Sequence, residues 1–346
     1  MRQFWMAAAK FFSILLAWSL MWLAPGGAAA QDKPIELKLS SWLGIGHNHH
    51  KNVLVPWAKM VEERSQGRLK ITIYPGGTLG KPGDQWDMIR DGVADIGYAD
   101  HNYTPGRFPL TAAGNLPFMF KTAKGGSRAM WELYQKDLKK EHEGVKVLWL
   151  FVHSPAQFHM VKKPVKTVED LVGTKIRVSG GQVAQIVRTL GAVPVTMAAP
   201  ESYNALERGV VDGTVFPWEA IFGFKLYEVI KHHTVSNLYV GTFWFGMNQK
   251  TYDGLPSDLK KAIDELSGAW GAEFTGGAWD KGEEDGIAAA KKAGATTYTL
   301  SPAEQQRWAQ KAKPIEEEWV GGLEAKGLPV RQVLADLREL AKKYDP

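Results

Sequence analysis

Apolar and polar residues alternate over 35–41, the period of a strand with one face in solvent. Over 52–65 the period lengthens to that of a helix, with Val53, Trp57, Met60 and Val61 on one face and Gly67 as its stop. Pro56 fits only near the first turn of that helix. A second strand is predicted over 69–74, a short helix over 84–91 and a third strand over 94–98. The next helix spans 126–143. Residues 145–152 then form a continuous apolar run of the kind buried on both faces of a sheet.

The pattern restarts with strands over 157–162, 174–178 and 194–197 and helices over 182–190 and 200–208. A strand over 211–215 leads into Phe216-Pro217-Trp218. Residues 235–247 are long enough for a strand that crosses between domains. The helical region 257–293 carries Gly268, Gly271, Gly276, Gly277, Gly282 and Gly286. Each costs ~1 kcal/mol against alanine, so packing must hold this helix, and a bend or break is expected. Ser301-Pro302-Ala303-Glu304 is a capping box opening a helix to about residue 321, and the last helix spans 329–343.

Strands alternating with helices predict an α/β chain with mixed, mostly parallel sheets. We expect two α/β domains joined by crossing strands. The expected bounds are 31–153 with 242–275 for the first domain and 154–241 for the second. Residues 276–346 are expected to be C-terminal helices packing across them. In such a chain the cleft between the halves is the natural ligand site.

Residues 1–30 read as a cleavable signal peptide: Arg2 and Lys10 are positive, 11–23 is apolar, and Ala28-Ala29-Ala30 offers a cleavage site before Gln31. An uncleaved anchor is the rival, but Pro25-Gly26-Gly27 interrupts the run before spanning length. Export follows, and with it the expected periplasmic location.

Composition removes several functions. The formal net charge is +5, two of those charges lie in the leader, and no basic run tracks a phosphate backbone, so nucleic acid is not an expected partner. There is no cysteine, hence no disulfide, thiolate chemistry or iron–sulfur ligation. No nucleophile elbow, P-loop or zinc-protease motif occurs, and Gly44-Ile45-Gly46 lacks the third glycine of a dinucleotide fingerprint. His47, His49 and His50 have no helical ligand spacing and no accompanying thiol, so a loop contact or helix-start cap is expected rather than a metal. We expect no cofactor, no metal and no enzyme activity.

What remains is Lys175-Ile176-Arg177-Val178-Ser179-Gly180-Gly181, a strand, a glycine turn and a helix start. A guanidinium there offers two parallel donors to a carboxylate, beside the free N–H groups of a helix N-terminus. The same spacing also fits a surface arginine at a strand end. Phe216 and Trp218, flanking Pro217, either line a pocket or pack a loop bend, and Trp42 poses the same alternative. His101 ends a strand, where residues face the cleft of such sheets.

The central block resembles the solute-binding proteins of tripartite ATP-independent periplasmic (TRAP) transporters, the DctP-type family. The matching residues are Asp170-Leu171-x-Gly173-x-Lys175-x-Arg177, Leu190-Gly191-Ala192-x-Pro194-Val195-x-Met197 and Gly209-Val210-Val211-Asp212-Gly213, with Pro217. Earlier pieces fit as well, notably Tyr74-Pro75-Gly76-Gly77-x-Leu79-Gly80. The resemblance implies a two-domain periplasmic-binding-protein-like fold with hinge strands and a long helix bridging both domains. It also implies capture of a small organic acid in the cleft and delivery to a small and a large membrane permease subunit. Arg177 falls on the arginine that pairs with the ligand carboxylate in that family. Gln157 stands where sialic-acid-type members carry a second arginine, and Phe216 where many carry asparagine. Tyr98, Asp100 and His101 resemble a branch of the family with a His-x-Tyr-Thr-Pro-Gly-Arg-Phe loop.

Micromolar binding needs about 8 kcal/mol, and one charge-assisted pair contributes about 1.5–3 kcal/mol. Aromatic surface must supply most of the rest. The expected ligand is an apolar or aromatic monocarboxylate, with Arg177 as anchor, Phe216, Trp218 and Trp42 around its body, and Gln157 and His101 reading a hydroxyl or keto oxygen. An exported two-lobed enzyme and a sensor's ligand-binding partner are the alternatives.

Overall fold

Two sheets organise the molecule in the computed structural model, which describes residues 33–346. The leader and its cleavage site lie outside the described residues. Eleven strands occur among those residues: β1 (Ile35–Ser40), β2 (Leu69–Tyr74), β3 (Ile96–Asp100), β4 (Val145–Val152), β5 (Gln157–Met160), β6 (Lys175–Val178), β7 (Val193–Thr196), β8 (Gly213–Phe216), β9 (His232–Val235), β10 (Thr242–Asn248) and β11 (Thr296–Thr299). The first sheet has the order β2-β1-β3-β10-β4 and the second β11-β9-β5-β8-β6-β7. Both are mixed. β1 runs parallel to β2 and β3, and β6 parallel to β7 and β8, whereas β10 opposes β3 and β4, and β5 opposes β8 and β9.

Each sheet is the core of one lobe, and the chain crosses between the lobes twice side by side. One crossing joins β4 to β5 through 153–156, and the other joins β9 to β10 through 236–241. Backbone bonds zip the two together: Ala156 N–H to Tyr239 O at 2.8 Å, Leu238 N–H to Ala156 O at 3.0 Å and His153 N–H to Gly241 O at 3.2 Å. The strand predicted over 235–247 is therefore only β10 at its C-terminal end; its first residue closes β9, which was not expected over 232–234, and 236–241 is the crossing between them.

The long helical region breaks where the glycines predicted a bend. A helix over Ser257–Asp264 ends, Gly268 takes φ +63°, and a second helix runs over Gly268–Lys292. This second helix packs on the first lobe near the helix Ala123–Leu133 and on the second lobe near the helix Trp218–Gly223. Its glycines explain themselves at these contacts. A Cβ on Gly276 would fall 2.5 Å from the carbonyl oxygen of Ala123, and one on Gly286 would fall 1.8 Å from that of Trp218. Close approach of backbone to backbone replaces the helix propensity that the sequence lacks. Asp280 adds a polar tie, accepting the Ala123 and Lys124 N–H groups at 2.7 and 2.9 Å. Residues 35–346 thus hold together as one compact unit. No helix among the described residues is long and apolar enough to cross a membrane.

Candidate ligand-binding site

Arg177 sits inside the second sheet, between β7 and β8, opposite Val195 and Thr214. Its side chain is completely buried. Nε and Nη2 both donate to the Met197 carbonyl, at 3.1 and 2.8 Å. The Tyr103 hydroxyl, which accepts the Ala199 N–H at 3.0 Å, stands 3.5 Å from Nη2. Nη1 is buried with no partner. One fork of the guanidinium is thus committed to the protein, while the other presents an unpartnered donor. Phe216, at the end of β8, lies over the group with its ring centre 4.2 Å from Cζ.

A cavity of about 30 Å³ lies beside this group, where the lobes meet. Trp42, Tyr103 and Phe243 face it from the first lobe, Phe216 and Phe224 from the second, and Trp279 from the bridging helix. Its polar lining consists of Asp100, Ser179, His153 and His47. The volume is close to the share of one water molecule in the liquid, so an organic acid enters only as the walls part. Several contacts hold the lobes together. One joins Tyr103 to Ala199, and another places Asn102 over the glycine turn before the helix Gly181–Thr189. Gly181 has φ +50°, and a Cβ there would lie 2.5 Å from the Asn102 side-chain oxygen. The turn expected to offer free N–H groups to a ligand is instead packed against the opposite lobe.

Burial sets the charge state of the lining. Asp100 accepts the Asn102 backbone and side-chain N–H groups at 2.8 Å each. Desolvation pushes its carboxyl above the usual range, opposed by the Asn102 and Ser179 hydrogen bonds and the Arg177 charge. Both ring nitrogens of His153 are engaged, with the Ser154 carbonyl at 2.6 Å and the Gly241 N–H at 2.9 Å. Burial lowers its pKa to about 4. His47 is also neutral, its pKa lowered to about 3 by burial and by His50. His47 Nδ1 accepts the His49 N–H at 3.2 Å and lies 3.2 Å from Glu219, whose carboxyl burial raises well above the ordinary range. Burial therefore works against charge on both partners.

Of the expected site residues, Phe216 and Trp42 line the cavity, and Arg177 lies against the Phe216 ring beside it. Trp42 is fixed by its Nε1 bond to the Tyr98 carbonyl at 3.1 Å and by edge contact with Tyr103 at 5.9 Å. The other four stand elsewhere. Tyr98 lies a layer behind Trp42, its hydroxyl 2.9 Å from Ser41 Oγ. His101 turns away from the cleft; its nitrogens meet Thr242 Oγ1 at 3.2 Å and His142 Nε2 at 3.0 Å, under Phe108. Trp218 enters its helix and packs on His233 and His159, with ring centres 4.6 and 5.1 Å away. Gln157 is spent on the crossing. Its oxygen accepts the Ser236 and Asn237 N–H groups at 2.6 and 2.9 Å, and its nitrogen donates to Pro155 O and Asn237 Oδ1 at 3.0 and 2.6 Å. Neither His101 nor Gln157 has a free hydrogen-bonding group for a ligand.

Sequence reasoning missed Tyr103, His47, Phe243 and Trp279. Tyr103 follows β3 by the same strand-end rule that singled out His101, and Phe243 pairs with Asp100 across β3 and β10. Trp279 needed the packing of the bridging helix to be known. Among the described residues no cluster of side chains is arranged to hold a metal ion.

A two-lobed α/β molecule with twin crossing segments and an arginine buried beside an interlobe cavity has the construction of a solute receptor. Residues 39–321 match the model of bacterial extracellular solute-binding protein family 7, DctP, and the chain belongs to that family. It is similar to a TRAP solute-binding protein of Rhodoferax ferrireducens solved with copurified benzoate (35% identity, TM-score 0.88, covering 90% of this chain and 98% of that one). A periplasmic TRAP protein of Bordetella bronchiseptica with bound (R)- and (S)-mandelate is 34% identical, with a TM-score of 0.85 over 90% of this chain and all of that one. The outer membrane transporter protein TsaT of Comamonas testosteroni is 30% identical over 69% of this chain and 72% of its own. The chain is thus a TRAP-transporter solute-binding protein and not an enzyme. Proteins of this kind are periplasmic, bind small organic acids and work with membrane permease subunits.

Proposed function

We propose that this receptor captures an aromatic or similarly apolar monocarboxylate. The observation that carries this reading is the unpartnered Nη1 of the fully buried Arg177, beside a cavity whose other walls are mostly aromatic. A buried guanidinium donor without a partner favours an anion. Because Met197 holds the Nε side, the carboxylate engages the Nη1 end. Trp42, Tyr103, Phe216 and Trp279 cover the apolar body. The benzoate and mandelate held by the two similar solved proteins support the same class of ligand.

The two lobes, taken as 31–153 with 242–275 and as 154–241, part about the crossing segments to admit the acid and close over it. The closed form is handed to a small and a large permease subunit. The leader, about residues 1–30, is removed on export, which the intact mass of the periplasmic protein tests.

Titration calorimetry with benzoate, mandelate, succinate and galacturonate tests the ligand class. Benzoate or mandelate should bind at micromolar concentration and the other two at least ~100-fold more weakly. Selective binding of the dicarboxylate or the sugar acid would overturn the reading.

A further inference from the structure

A chain of ring contacts through Phe216 and Phe224 links Arg177 to His47. The Phe216 ring lies 4.2 Å from the Arg177 guanidinium carbon. Phe224 stacks nearly parallel to Phe216, with centroids 6.1 Å apart and planes 20° apart. The His47 ring meets Phe224 at 4.9 Å. Arg177, Phe216 and Phe224 belong to the second lobe, and His47 to the loop after β1 in the first.

The His47 ring lines the cavity and is only 2% exposed. Its Nδ1 is an acceptor, occupied by the His49 N–H. A neutral imidazole with Nδ1 accepting carries its hydrogen on Nε2. Nε2 is buried and has no partner. An N–H left in this condition favours any ligand that brings an acceptor to it.

We propose that His47 Nε2–H is a specificity-determining donor for an oxygen substituent on the ligand ring, meta or para to the carboxylate that Arg177 holds. The preferred substrates are then hydroxy- or oxo-substituted aromatic acids rather than unsubstituted ones. An ortho oxygen sits beside the carboxylate, at the Arg177 end, and gains nothing from His47. A ring amino group brings a donor to a donor and gains nothing either. The proposal rests on the aromatic-acid reading above and narrows it.

The test is a calorimetric series on the wild-type protein and on His47→Phe and His47→Gln. The ligands are benzoate, 2-, 3- and 4-hydroxybenzoate and 4-aminobenzoate. For the wild type we expect 3- or 4-hydroxybenzoate to bind at least ~10-fold tighter than benzoate, 2-hydroxybenzoate and 4-aminobenzoate, about 1.4 kcal/mol. His47→Phe should bring the hydroxybenzoate-to-benzoate ratio to about one. His47→Gln, which keeps an N–H donor, should restore part of it. Equal wild-type affinities for benzoate and both hydroxybenzoates would overturn this proposal while leaving the aromatic-acid reading intact. A preference that persists in His47→Phe would do the same. Failure of all five acids to bind would overturn both. The wild-type series decides the matter even if a variant does not fold.

Discussion

Phe216 covers one face of the Arg177 guanidinium at 4.2 Å, while Nη1 of the same group is buried without a partner. The cation is held by an aromatic face, the Met197 carbonyl and the Tyr103 hydroxyl, all on its Nε–Nη2 side or face, so Nη1 has unused capacity for an anion. Arg177→Met should therefore lose ligand much more than it loses fold. We expect carboxylate affinity to fall by about 10- to 150-fold, the worth of a charge-assisted hydrogen bond of about 1.5–3 kcal/mol. The melting temperature without ligand should hold or rise, because an incompletely paired buried charge is gone. Calorimetry and thermal unfolding read the two effects separately. Retained affinity would place the anchor elsewhere.

Gln157 gives the opposite pattern. Its carboxamide ties the N–H groups of Ser236 and Asn237 into the crossing between the lobes. Gln157→Ala leaves those groups short of an acceptor at about 1–3 kcal/mol. We expect lower thermal stability, with the relative affinities for different acids unchanged. A change of ligand preference in this variant would return Gln157 to the binding site.

Most strands of both sheets were legible because alternation and apolar runs report which faces are buried. β9, His-His-Thr-Val, was not, and neither was β11. Its Thr-Thr-Tyr-Thr is polar and largely exposed, and pairing along β9 holds it in place. The site was legible only in part, for a reason of direction. Successive residues along an extended chain point to opposite sides. Asp100 lines the cavity while His101, one residue on, is buried behind it against His142. Phe216 faces the cavity while Trp218, two residues on, has entered a helix and faces His233. Sequence spacing brought the right segments to the cleft but could not say which neighbour in each segment faces it.

The glycines of the bridging helix make a pair of opposite predictions. A Cβ on Gly286 would fall 1.8 Å from the Trp218 carbonyl oxygen, whereas one on Gly277 meets nothing within 4 Å. Gly277→Ala should gain helix propensity, ~1 kcal/mol, and raise the melting temperature by a few degrees. Gly286→Ala gains the same propensity but must push backbone away from backbone. We expect net destabilisation of about 1–3 kcal/mol, as overpacking typically costs. If both variants melt higher than the wild type, the helix does not pack on the Trp218 turn as described.

Stability should peak near pH 6.5, with a separate cause for each limb. Burial lowers the pKa of His142, His153 and His233 to about 4, and those of His49, His101 and His159 well below the ordinary value. As pH falls from 6.5 toward 4, the unfolded chain takes up protons at these histidines and the folded chain does not. Stability is therefore lost on the acid side. Glu283 has the reverse sign. Burial raises its carboxyl from 4.5 to about 8, so below 4.5 it is protonated in both states, and its stabilising contribution is complete. Between 4.5 and 8 the folded state keeps the proton that the unfolded state has released, and this contribution declines as pH rises. Glu219, raised well above 4.5 and facing His47, acts in the same direction. The histidines outnumber these carboxyls below pH 6.5 and their slope fades over about the next pH unit, which leaves the carboxyls to set the alkaline limb. Melting temperatures measured from pH 4.5 to 8.5 should trace both limbs. Glu283→Gln should flatten the fall between pH 6.5 and 8 and leave the acid limb in place. An unchanged alkaline limb in that variant would mean that Glu283 is ionised in the folded protein at neutral pH.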